Sequence, residues 1–181
     1  IVITKAGGRD PLAVPVLARF AETLGAPVFE DPARTYLNFP GDHPLHGGFD
    51  PGPHLATADV VVVVEADAPL FPALRNPSAD ATIIQIGVDP LFSRYPVRGF
   101  PTAGALAGEP RLTLAALAQA LRPLLDAATV AVRRRKWEAE AAAQREAVAA
   151  RARAVSGDTP IDMAWASRCV AECIDDDFGL L

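Results

Sequence analysis

Two cysteines, one methionine, two lysines and 7% aromatic residues make this chain poor in several side chains that normally advertise function. Cys169 and Cys173 are four residues apart on a helical pattern. They share one helix face, where the geometry for a disulfide is poor, so they read as reduced thiols of a cytoplasmic protein. There is no basic excess: 17 Lys and Arg stand against 22 Asp and Glu, a net charge of −5. That balance argues against a nucleic-acid binder. The one dense basic run, Arg133-Arg134-Arg135-Lys136, leads straight into an acidic, alanine-rich stretch in which Arg134 is expected to pair with Glu138 one turn on. No apolar run approaches the roughly 20 residues of a membrane span. Neither a phosphate-binding P-loop nor a nucleophile elbow around Ser78, Ser93, Ser156 or Ser167 is present. Disorder is excluded as well, because half of the residues are hydrophobic. The chain lacks a start methionine and a signal peptide, and its first residues already read as a strand, so it is expected to be a piece of a longer polypeptide.

What is present alternates between strand and helix. Ile1 to Thr4 is a β-branched run that ends in Gly7-Gly8. Leu12, Val16, Leu17, Phe20 and Leu24 recur at helical spacing up to the stop at Gly25. Ala26-Pro27-Val28-Phe29 predicts a second strand, and 30–53 shows no periodicity, only turns and scattered aromatics. Val60 to Val64 is five valines without alternation, which describes a strand buried on both faces of a parallel sheet. Thr82 to Ile86 repeats that signal, Thr102 to Leu106 gives a weaker one, and Pro110 to Leu125 is an amphipathic helix. From Arg133 to Val155 a solvated helix with a narrow apolar line follows. Ser156-Gly157-Asp158 breaks it, and a new helix is expected from Thr159 as cap, with Pro160 in its first turn, to about Ile174. The economical architecture is a doubly wound, mostly parallel α/β sheet, Rossmann-like, over 1–132. A linker helix over 133–158 and the start of a second domain over 159–181 complete the reading.

Three groups could carry chemistry. Gly7, Gly8 and Arg9 sit where such sheets cradle a diphosphate, although the third glycine of the dinucleotide fingerprint is missing. Glu65, Asp67 and Asp89 follow strands, where a carboxylate can hold ribose hydroxyls or simply start a turn. Asp42, His43, His46, Asp50 and His54 are of zinc-ligating types, but the intervening prolines and glycines give them no regular presentation.

The stretch from Phe39-Pro40-Gly41-Asp42-His43-Pro44 through Gly47-Gly48, then Leu55 to Asp59 entering the valine strand, resembles the central domain of thiamine diphosphate-dependent enzymes. Acetolactate synthase-like and benzoylformate decarboxylase-like members are the nearest in pattern. Ala26-Pro27-Val28 and the series Ile84-Gln85-Ile86-Gly87-Val88-Asp89-Pro90, with Arg94-Tyr95-Pro96-Val97 after it, match further landmarks. The family's usual Gly-Asp before the long helix is Gly108-Glu109 here, and Asp175-Asp176-Asp177 runs into Phe178-Gly179-Leu180-Leu181 where the family continues with a strand.

The resemblance implies a parent enzyme that decarboxylates or ligates 2-keto acids with thiamine diphosphate and magnesium, assembled as a homodimer or homotetramer. It places the cofactor-activating glutamate and the Gly-Asp-Gly…Asn metal motif on other domains, and neither motif occurs in these 181 residues. It also implies that the central domain binds FAD or ADP in some members, for which Gly7, Gly8, Arg9 and Asp89 are the candidate crevice. His43 matches the histidine that reaches the active site in benzoylformate decarboxylase-like members. Against this stand two other readings, a free-standing nucleotide-binding domain and a structural or subunit-contact module.

Overall fold

The computed structural model describes residues 1–69, 76–97 and 99–174. The acidic run at 175–177 and the residues after it lie outside the described part. The chain forms two compact units, Ile1–Ala141 and Ala142–Leu181.

The first unit is built on six parallel strands: β1 (Val2–Thr4), β2 (Val28–Glu30), β3 (His46–Gly48), β4 (Val60–Val64), β5 (Thr82–Gly87) and β6 (Gly104–Ala107). Their order across the sheet is β3-β2-β1-β4-β5-β6, with every neighbouring pair parallel. This is the strand order of the dinucleotide-binding doubly wound fold, so the expected fold class is the observed one.

The non-alternating valines have a direct cause. Successive side chains of a strand point to opposite faces, and both faces of β4 are covered. Val62 and Val64 join Val2, Leu17, Phe20, Val28 and Leu114 on one side, and Val61 and Val63 join Ile3, Leu55 and Ile83 on the other. Helix α1 (Ala13–Leu24) and helix α3 (Pro110–Leu121) supply the first layer through Leu17, Phe20 and Leu114. Helix α1 ends as expected at Gly25, whose positive φ of 62° closes the helix with N–H bonds to the carbonyls of Ala21 and Glu22. The short helix α2 (Gly52–Leu55) contributes Leu55 to the opposite layer.

The unpatterned stretch 30–53 is less irregular than its sequence suggests. It contains β3, a His-Gly-Gly strand that adds to the sheet edge beside β2. Gly47 is needed there, since a Cβ would stand 2.7 Å from the Phe29 ring.

Helix α4 runs unbroken from Ala127 to Ala154, starting six residues earlier than the linker helix read from composition. Arg134 Nε does reach Glu138 Oε1, at 2.7 Å. In the second unit, α5 (Met163–Cys173) is capped by Asp162, whose carboxylate accepts from the N–H of Ala164 at 2.7 Å. The cap is therefore three residues beyond Thr159. Asp162 has the extended backbone a cap requires (φ −74°, ψ 141°) and one of the best capping side chains. Cys169 and Cys173 are free thiols.

Candidate functional site

Open parallel sheets hold ligands beyond the carboxyl ends of their strands, where the strand order reverses. Here that point lies between β1 and β4. A cavity of about 130 Å³ opens there, lined among others by Gly7, Arg9, Asp10, Glu65, Glu109 and Arg111.

Glu65 shapes this crevice. It leaves β4 with φ 47°, a left-handed conformation that costs a non-glycine residue about 1–3 kcal/mol. Local bonds hold it there: its carbonyl accepts from the N–H of Ala6 at 3.0 Å, and Oε1 accepts from the N–H of Val88 at 2.6 Å. The carboxylate fits because residue 87 is glycine; a Cβ there would sit 2.6 Å from Oε1. On the other wall, Arg111 Nε stands 3.2 Å from Asp10 Oδ2, an ion pair whose angle leaves that buried nitrogen without a hydrogen bond.

The glycine turn after β1 is a 3₁₀ turn over Gly7–Arg9 with both glycines buried. Gly7 and the exposed Arg9 face the crevice. Gly8 is closed over by the chain itself: its N–H donates to Asn38 Oδ1 at 3.0 Å, and a Cβ on it would lie 1.9 Å from the Leu37 carbonyl oxygen. Asp89 is exposed and accepts from both the N–H and the hydroxyl of Ser93 at 2.9 Å.

Behind the turn is a buried polar network that the sequence reading missed. Glu30, the last residue of β2, is 2% exposed. Its Oε2 accepts from the backbone N–H and the Nδ2 of Asn38, both at 3.1 Å, and its Oε1 lies 3.1 Å from His46 Nε2. Arg34 Nε approaches to 3.6 Å. Burial pushes the Glu30 carboxyl up, but the hydrogen bonds from His46 and Asn38 and the charge of Arg34 outweigh it and hold the group below its ordinary range. In dinucleotide-binding folds an acidic residue near this strand end holds the ribose. Here both of its oxygens are engaged by the chain's own loop.

A second charged group crowns the same sheet edge. Lys5 Nζ lies 2.7 Å from Asp67 Oδ1, and the Tyr95 hydroxyl donates to Asp67 Oδ2 at 3.0 Å. The hydrogen bond between them raises the Lys5 ammonium and lowers the Asp67 carboxyl.

The three histidines do not converge. Each meets a different glutamate: His43 Nε2 lies 3.3 Å from Glu22, His46 Nε2 3.1 Å from Glu30, and His54 Nε2 3.2 Å from Glu140. They fasten the stretch between β2 and β4 to α1, to the sheet and to α4 in turn. Among the described residues no three metal-ligating side chains come together. His43 lies toward the amino-terminal strand edge, opposite the crevice, because Glu22 belongs to the last turn of α1. Its Nδ1 accepts from the N–H of Leu45 at 3.1 Å, which puts the proton on Nε2 toward Glu22, and its ring meets Phe39 edge-on at 4.8 Å.

The residues present therefore do not fit thiamine diphosphate or its metal, for which no donor set is assembled among the described residues. The crevice offers two arginines to an anion, but three carboxylates, Asp10, Glu65 and Glu109, line it as well. Its volume is also below the roughly 300–1,000 Å³ of most small-molecule sites.

No family model and no curated protein sequence matches the chain. Solved structures do. An enzyme of Mycobacterium smegmatis described as thiamin diphosphate-dependent aligns with a TM-score of 0.52 and 28% identity, over 65% of this chain and 24% of that one. The thiamine diphosphate-dependent 4-hydroxybenzoylformate decarboxylase of Rhodococcus jostii RHA1 aligns with a TM-score of 0.52 and 22% identity, over 68% of this chain and 24% of that one. The chain is thus similar in structure to thiamine diphosphate-dependent enzymes, and it spans about a quarter of the length of each.

Proposed function

Taking that similarity as the premise, we propose that the chain is the central domain of a thiamine diphosphate-dependent enzyme that decarboxylates or ligates 2-keto acids. The observation that carries this reading is the proportion of the match: 65% of this chain against 24% of the Mycobacterium smegmatis enzyme, at 28% identity. That is the footprint of one domain inside a multidomain chain. The six-stranded order and the series of landmarks from Phe39 to Val97 support it.

In this reading the domain is a scaffold, and the chemistry resides on other domains of the same polypeptide. The full-length native protein is expected to release CO₂ from a 2-keto acid, tested over a panel that includes pyruvate and benzoylformate, only with thiamine diphosphate and magnesium added. The segment 1–181 alone is expected to bind no thiamine diphosphate in a calorimetric titration. A full-length protein that neither turns over any keto acid nor binds the cofactor would sink the proposal, as would a native chain no longer than this one.

His43 is the residue by which the resemblance would link this domain to catalysis. As placed, both ring nitrogens are engaged and the side chain is 12% exposed, which supports a structural part for it. In the full-length enzyme, His43→Ala is expected to leave kcat within a few-fold and to cost about 1–2 kcal/mol of stability from the lost hydrogen bonds. A fall in kcat of about 10²-fold would instead assign it proton transfer.

A further inference from the structure

The glycine turn after β1 and the acid that ends β2 stand in the relation that dinucleotide-binding folds use. Glu30 follows the turn by about 20 residues, the spacing at which such folds place the acid that holds the ribose, while the N–H groups of the turn meet the diphosphate. In this chain each of those groups already has a partner. The N–H of Gly7 donates to the Thr4 hydroxyl at 3.3 Å, that of Gly8 to Asn38 Oδ1 at 3.0 Å, and that of Arg9 to the Ala6 carbonyl at 3.1 Å. Glu30 is saturated by Asn38 and His46.

Asn38 closes both halves of the crevice at once. A primary amide carries an acceptor and two donors on one planar group. Its oxygen meets the Gly8 N–H as a phosphate oxygen would, and its Nδ2 donates to Glu30 Oε2 at 3.1 Å as a ribose hydroxyl would. The same nitrogen donates to the Tyr36 carbonyl at 2.9 Å, and the residue is fully buried. The backbone follows the side chain in. The carbonyl oxygen of Leu37 lies where a Cβ on Gly8 would be, so the missing side chain admits a carbonyl dipole of the chain itself in place of a diphosphate. The negative end of that dipole repels a phosphate.

The loop is held in this position at both of its ends. The N–H of Asp31 donates to the Thr4 carbonyl at 2.8 Å, and the Asp31 carboxylate accepts from the N–H of Ala33 at 2.7 Å. The Arg34 guanidinium lies over the Phe49 ring, 4.1 Å from its centre. All of these contacts are internal to residues 4–49.

We propose that the loop 31–38 is a built-in occupant of the dinucleotide crevice, in which the Asn38 amide takes the hydrogen bonds of a nucleotide's phosphate and ribose and so keeps adenine nucleotides out. The inference rests on the fold and its contacts and does not depend on the enzymatic reading above.

The test is calorimetric titration of the full-length protein with ADP. The wild type is expected to show no saturable binding up to about 1 mM. Asn38→Gly removes the amide and frees the Gly8 N–H and Glu30 together. It is expected to bind ADP about tenfold or more tightly than the wild type, in the submillimolar range, because the loop's hydrogen bonds no longer compete. Asn38→Asp keeps an acceptor for Gly8 but adds a charge that repels phosphate, and it is expected to bind no ADP. Where Asn38→Gly does not fold, hydrogen exchange of the wild type decides: the Gly8 amide is expected to be protected without any ligand and to stay so when ADP is added. Saturable binding of ADP to the wild type overturns the proposal. So does a folded Asn38→Gly that gains no affinity, an equal gain in Asn38→Asp, or a Gly8 amide that exchanges freely.

Discussion

Replacing Glu30 with alanine is expected to lower the melting temperature by roughly 10 °C, the largest loss we anticipate from a single side chain. The carboxylate is buried and accepts from two groups of Asn38 while meeting His46. Alanine would leave those buried donors without their acceptor. Each stranded polar group costs about 1–3 kcal/mol, and together they amount to about 3–5 kcal/mol. The same network predicts a pH dependence. The folded-state value of Glu30 is depressed below its ordinary 4.5. Its contribution is therefore fully present above the unfolded-state value and is lost as pH falls through the folded one. Thermal unfolding followed from pH 7 down to pH 3 should show the wild type losing more stability than Glu30→Gln, which has no carboxylate to protonate there. Parallel curves for the two proteins would show that Glu30 does not titrate against folding.

Gly8→Ala is expected to be nearly as damaging, at about 3 kcal/mol, which is the upper end of the cost of overpacking. The added methyl would stand 1.9 Å from the Leu37 carbonyl oxygen and 3.0 Å from Asn38 Cα, and backbone cannot rotate out of the way as a side chain can. The displaced loop would also pull Asn38 Oδ1 from the Gly8 N–H. The neighbouring Gly7→Ala is a built-in contrast. Its methyl would meet the Thr4 hydroxyl at 2.7 Å, one side-chain atom rather than backbone, and the expected cost is about 1–2 kcal/mol. Gly41→Ala, with nothing within 4 Å, serves as the neutral control. Chemical denaturation of the three variants should rank them Gly8, Gly7, Gly41. Equal effects at Gly7 and Gly8 would mean that Leu37 and Asn38 do not rest on Gly8.

Both results bear on the crevice. A glycine pair after the first strand and an acid near the end of the second are the sequence marks of a nucleotide site. In this fold Gly8 and Glu30 are joined through Asn38, so a loop of the chain itself occupies the place that such marks usually leave to a ligand. Spacing could bring Gly7 and Gly8 to attention, but nothing in it could show that Asn38, thirty residues on, takes the N–H of Gly8.

Local patterning alone determined the strands and helices with strong periodicity: the five valines of β4, the β-branched run of β5, and α1 with its glycine stop. These carry their signal in neighbouring residues, because burial on both faces demands an unbroken apolar run and burial on one helix face demands a 3.6-residue repeat. The parallel sheet followed from their alternation. Strand β3 was illegible, since His46-Gly47-Gly48 has no strand propensity and is held by pairing with β2 and by the Phe29 ring that excludes a side chain at Gly47. The partners of the histidines were equally invisible. Glu22, Glu30 and Glu140 lie far from them along the chain and come within reach only when α1, the sheet and α4 pack. A metal cluster and three separate anchors require the same residue types at the same spacing; the choice between them belongs to the tertiary structure, which alone decides what stands within 3.5 Å of each ring.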